Sequence, residues 1–101
     1  MKIIIEDKYL QELVDDRIKP RKPKFPILVE KAFKKRIFQI QNAVNTNDLR
    51  KIKSLHFEKL VGSSDIHYSI RVNIGWRIIF RIENDEMVEV LYIEEINNHY
   101  S

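Results

Sequence analysis

The sequence contains no cysteine. That excludes disulfide scaffolds, thiolate metal sites and cysteine nucleophiles, and it fits a reducing cytosol. Its two glycines, Gly62 and Gly75, leave no glycine-rich phosphate loop. No apolar run approaches the ~20 residues a membrane helix requires; the longest are Ile3–Ile5, Ile27–Val29 and Ile78–Phe80. The opening Met-Lys-Ile-Ile-Ile-Glu-Asp meets an acidic pair too early for a secretory signal. His56, His67 and His99 have no metal-ligand spacing, so no metal or other cofactor is expected. There is no Ser-His-Asp arrangement; Ser63-Ser64, near Asp65 and His67, reads as a loop. What is present is 101 residues, 44% apolar and 33% charged. That is too apolar for a disordered chain and too charged for a membrane protein, and it suits one domain over 1–101 with one core.

The net charge is only +3, but it is unevenly spread. From Arg17 to Arg36 nine basic residues face one acid, Glu30. After Arg81 there are six acids and no lysine or arginine. A basic block of this density suits a phosphate backbone or an acidic protein; it equally suits a solvated helix face and linker.

Residues Lys2–Glu6 read as a short β-branched strand. Asp7 is placed to cap a helix over Lys8–Lys19, with Tyr9, Leu10, Leu13, Val14 and Arg17 on its apolar stripe. The segment Pro20–Pro26 cannot continue a helix, and Pro26 suits the first turn of the next. That second helix is predicted over Ile27–Val44. Its buried face is Leu28 or Val29, Ala32 or Phe33, Ile37, Ile40 and Val44, with Lys31, Lys34 and Lys35 toward solvent. Asn45-Thr46-Asn47 stops it, and Asp48–Lys53 is a basic connection with room for one helical turn. Phe57–Leu60 reads as a short strand. His67–Val72 and Trp76–Ile82 alternate around an Asn73-Ile74-Gly75 turn, and Met87–Ile93 follows a turn at Glu83–Glu86. The three strands form an antiparallel meander whose aromatic face packs on the helices, an α+β fold.

The alternation leaves Ser69, Arg71, Arg77 and Arg81 on the face away from the helices. Arg71 and Arg77 flank one short turn and so fall on neighbouring strands. Like charges facing each other across strands are destabilising, and an anionic substrate is one reason to keep them there. The other reading is ordinary cross-strand pairing with Glu89, Glu94 or Glu95. The closing His99-Tyr100 reads as frayed surface unless it folds back over the sheet, where it offers a titratable group and a stacking plane.

Leu49-Arg-Lys-Ile-Lys-Ser-Leu55, Phe57-Glu-Lys-Leu60, Gly62, Tyr68-Ser-Ile-Arg-Val-Asn73, Trp76-Arg-Ile-Ile-Phe80 and the ending Asn98-His-Tyr100 together resemble the HigB branch of the RelE-type toxins. The resemblance spans the chain and is strongest over 49–100. It implies a RelE-like β-α-α-β-β-β fold, two helices on one face of a small antiparallel sheet. It implies a cytoplasmic, metal-independent endoribonuclease that cuts mRNA in the ribosomal A site. The ribose 2′-hydroxyl attacks the adjacent phosphate while the protein positions, stabilises charge and moves protons. By the same resemblance Arg77 stabilises the phosphorane and Arg71 holds the phosphate. His99 is the acid or base, with Glu94 and Glu95 as alternatives, and Tyr100 stacks or helps transfer a proton. Arg81 supports them, and Lys59, Lys34, Lys35 and Arg36 contact RNA or the ribosome. The implied partners are a helix-turn-helix antitoxin of the HigA kind, the ribosome and mRNA, with operator DNA reached only through the antitoxin complex and no membrane. Many relatives carry a lysine where this chain has Val61, which bears on rate or codon preference. Two alternatives stay open: a ParE-like toxin that inhibits gyrase, and a catalytically weakened RNA-binding relative.

Overall fold

A computed structural model of the chain describes residues 1–17, 23–62, 65–73 and 75–98. In chain order its elements are β1 (Lys2–Ile5), α1 (Lys8–Val14), α2 (Ile27–Asn42), α3 (Thr46–Lys51), a 3-10 turn (Lys53–Leu55), β2 (Glu58–Leu60), β3 (His67–Asn73), β4 (Trp76–Asp85) and β5 (Val88–Asn97). The strands form one sheet in the order β1-β5-β4-β3-β2. The class is α+β, as expected, but the order has one helix and one strand more than β-α-α-β-β-β. The sheet is also mixed: β1 lies parallel to β5, with Lys2 opposite Val90 and Ile5 opposite Ile93. A parallel pair needs a long connection: here the helices carry the chain from β1 to β2 at the far edge, and the antiparallel β2–β5 meander brings it back beside β1. Half-buried Ile3 and Ile5 thereby reach the core.

The Asp7 carboxylate accepts from the Leu10 amide at 2.9 Å and starts α1 as predicted. The helix ends at Val14, earlier than the apolar stripe suggests. Asp16 takes φ +57°, and the Arg17 amide donates to the Glu12 carbonyl at 2.8 Å while the Asp16 amide reaches Leu13. This is a Schellman stop made without glycine, and it leaves Arg17 exposed rather than on the buried stripe. In α2 the buried face is Val29, Phe33, Ile37 and Ile40; Leu28 is exposed. Val44 falls beyond the helix and is also exposed, because Ala43 turns extended and Asn45 caps α3 instead. The Glu89 carboxylate holds the α3 start from β5, accepting from the Thr46 amide at 2.7 Å and its hydroxyl at 2.8 Å.

The period-2 assignments hold in β3 and β4. Ile70, Val72, Ile78 and Phe80 enter the core with Leu91, Ile93 and Ile96, and Trp76 and Ile82 pack against it. The β4–β5 hairpin runs further than predicted, to Asp85 opposite Val88. Its two-residue turn is Glu86-Met87, with φ +46° and +72°. Both central residues of a type I′ turn need positive φ, which glycine and asparagine adopt far more easily. Met87 is fully exposed, so its side chain holds nothing together. Met87→Gly is therefore expected to raise stability by about 0.5–1 kcal/mol, read as a higher urea midpoint.

Candidate nucleic-acid interface

On the face away from the helices, β3 and β4 carry Ser69 opposite Ile79 and Arg71 directly opposite Arg77. The two arginines are thus in-register cross-strand neighbours. They differ in surroundings. Arg77 is only 5% exposed. Its Nε donates to the Ser69 hydroxyl at 2.8 Å, and its Nη2 donates to the carbonyl of His56 and, at 3.4 Å, to that of Ser69. Glu58 lies 4.0 Å away. Nη1 has no hydrogen-bond partner among the described residues. Burial pushes the Arg77 pKa below the ordinary arginine value; Glu58 opposes this and Arg71 adds to it. The Arg71 side chain is half-buried and makes no hydrogen bond or ion pair among the described residues. The pair thus holds two guanidinium charges against one carboxylate at the limit of ion-pair distance.

Arg81 is occupied otherwise. It bonds Glu6 at 2.5 Å, Glu94 at 3.0 Å and Glu83 at 3.3 Å, and its guanidinium lies 4.3 Å from the Tyr92 ring centre. The bonds to Glu6 and then Glu94 raise its pKa. Cross-strand pairing therefore describes Arg81, with Glu94 as one partner. Of the other two acids expected near the arginines, Glu89 serves α3 instead and Glu95 accepts from the Asn97 side-chain amide at 2.6 Å.

Glu94 also meets His67, whose Nε2 lies 3.0 Å from both carboxylate oxygens. Their meeting depends on a register shift in β5: Ile79 faces Glu95, yet Phe80 faces Ile93, so Glu94 is the extra residue. The alternation of β3 already places His67 beside Ser69 and Arg71. Nothing in the spacing announces the irregularity that brings Glu94 to it. His67, Glu94 and Glu95 border a cleft of about 300 Å³ with Leu60, Val61, Gly62 and Ile79. Val61 is 98% exposed at its rim.

Lys59 stands opposite Tyr68 in the β2–β3 register, so it belongs to the helix side of the sheet and not to the arginine face. Within the basic block Lys34 pairs with Asp16. The Arg36 Nε donates to the carbonyls of Arg71 and Val72, each at 3.2 Å, and Nη1 donates to Gln39 at 2.8 Å. Arg36 therefore fastens α2 to β3 rather than standing free for a phosphate. Lys31 and Lys35 are exposed. Lys31, Lys34 and Lys35 on α2 and the arginine pair belong to opposite layers. Lys19, Arg21, Lys22, His99 and Tyr100 lie outside the described residues. Among the described residues no group of three or more His, Asp or Glu side chains is placed to hold a metal ion, and no helix is long and apolar enough to cross a membrane.

A mixed five-stranded sheet with helices packed on one face is an α+β architecture consistent with a RelE-like fold. The chain belongs to the HigB-like toxin family: the model of the RelE-like toxin of the type II toxin–antitoxin system HigB matches residues 4–96. A type II toxin has an antitoxin as its partner. A Haemophilus influenzae protein described only as uncharacterized is 37% identical over 71 residues, which is 70% of this chain and 69% of that protein. No solved structure matches the chain.

Proposed function

We propose that the protein is a ribosome-dependent endoribonuclease that cleaves mRNA in the A site and so inhibits translation. The observation that carries this is the in-register Arg71–Arg77 pair on the sheet face away from the helices. Two guanidiniums held together at a cost are stabilised by an anion between them, and they favour a phosphorane, which carries more charge than the phosphodiester it forms from. Arg71, whose fork has no partner among the described residues, is the direct ligand of the phosphate. Arg77 contributes charge and the one nitrogen without a hydrogen-bond partner among the described residues, from a guanidinium whose other nitrogens are committed to Ser69 and His56. Arg81, held by three carboxylates, supports the face by fixing Glu94 rather than by meeting RNA. The general acid or base is His99, with Tyr100 beside the base or in the proton path, as the resemblance implies. Exposed Lys31 and Lys35, with Lys34, form a second basic surface on the helix layer, suited to ribosomal RNA phosphates or to an acidic antitoxin of the helix-turn-helix kind.

The test is cleavage of end-labelled mRNA with and without programmed bacterial ribosomes. Cuts confined to the A-site codon and dependent on the ribosome are expected. Unbroken mRNA under both conditions would exclude this reading and turn attention to gyrase.

A further inference from the structure

We propose that the cleft between the 23–25 segment and the end of β5 is a base-stacking subsite for single-stranded RNA. It deepens the reading of the Arg71–Arg77 pair as a phosphate site and rests on it. The cleft encloses about 390 Å³ and is bordered by Asp7, Lys24, Phe25, Trp76, Glu95 and Asn98. The Phe25 and Trp76 rings meet at 85° with centres 5.7 Å apart. Two aromatic planes at right angles make a corner: a planar base laid on one meets the other with its edge.

The corner is built, not incidental. Buried Glu30 accepts from the Tyr9 hydroxyl at 2.5 Å and from the Phe25 amide at 3.3 Å. The Tyr9 oxygen in turn accepts from the Lys24 amide at 3.1 Å. These bonds pin the 24–25 segment to both α1 and α2.

Its location ties it to the arginine pair. Arg71 faces Arg77, and Arg77 faces Asn97, so the three form a row across β3, β4 and β5. β1 covers β5 only up to Ile93, so the row ends at an edge β1 leaves open, and there the cleft begins. Trp76 and Phe25 pack on the helix side of the sheet, so a strand held by its phosphate at the pair rounds the open end of β5 at Asn97 and brings a base further along the strand, not that of the held nucleotide, into the cleft. Asp7 and Glu95 outweigh Lys24 in charge, which favours a neutral base over a second phosphate.

Trp76 is the chain's single tryptophan, so it reports directly on its own cleft. The experiment titrates the full chain with an adenylate trinucleotide and with an abasic ribose-phosphate trimer of equal charge, following Trp76 emission and affinity. The adenylate strand is expected to quench and to bind about tenfold more tightly, the range of one base–aromatic stack. Phe25→Leu, checked for an unchanged fold by its unfolding midpoint, should bring the two strands within about twofold. Equal affinities for the two strands, no quenching at millimolar strand, or an undiminished preference in Phe25→Leu would overturn the subsite. Arg71→Ala separates the two ideas, since loss of the phosphate contact weakens both strands alike. A base preference that survives with no effect of Arg71→Ala would leave the subsite standing and remove the phosphate reading.

Discussion

Arg77→Ala is expected to lower the unfolding free energy by about 3 kcal/mol, which for a domain of this size moves the melting temperature down by roughly 15 °C. The reason is burial, not chemistry. The guanidinium satisfies the Ser69 hydroxyl, itself fully buried, together with the carbonyls of Ser69 and His56. Removing it strands those groups in a site that water does not easily refill, and a buried polar group without a partner costs more than the bond that satisfied it contributes. His56 adds to the effect. Its φ of +46° is unfavourable for a residue with a Cβ, and Arg77 anchors that carbonyl. Arg77→Lys keeps the charge but loses the planar fork, so it should recover less than half of the loss. Urea unfolding of the two variants and of Ser69→Ala, which removes one of the bonds, checks the assignment. An unchanged midpoint in Arg77→Ala would show that the buried contacts stabilise nothing. This expectation governs how activity data are read, because loss of toxicity in an Arg77 variant is also what unfolding produces.

Arg71→Ala is the cleaner probe of the proposed chemistry. Its side chain has no hydrogen bond among the described residues to lose, and its charge disfavours the neighbouring Arg77 guanidinium. Stability should therefore stay within about 0.5 kcal/mol of the parent chain. Ribosome-dependent cleavage should fall by about 10²–10³-fold, the usual effect of removing one donor aimed at a transition-state oxyanion. Single-turnover cleavage on programmed ribosomes, run beside urea unfolding, separates the two quantities. Cleavage within about threefold of the parent would remove Arg71 from contact with the phosphate.

Taken together, these two variants divide a pair that alternation alone treats as equivalent. Arg71 and Arg77 occupy matching positions on adjacent strands, so nothing local distinguishes them. The difference arises because the His56 carbonyl and the Glu58 carboxylate of β2 reach Arg77, while Arg71 stands nearer the Asn73 end of the strand, where nothing among the described residues bonds it.

The sequence by itself determined the faces. A period of two sends Ile70, Val72, Ile78 and Phe80 inward and Ser69, Arg71, Arg77 and Ile79 outward whatever the strands pair with, because side-chain direction is a property of the extended backbone. The α2 stripe of Val29, Phe33, Ile37 and Ile40 and the Asp7 cap are legible for the same reason: each depends on residues within a turn or two. Only the tertiary structure decided what each outward residue meets. Glu6 reaches Arg81 across 75 residues of sequence. His67 meets Glu94 because one extra residue shifts the β5 register, and Arg36 turns from a free cation into a clasp on β3. β1 takes the parallel edge of the sheet because the helices carry the chain to the far edge and the β2–β5 meander returns it beside β1. Partner, register and burial are set by which distant segments pack together, and local periodicity carries no information about that choice.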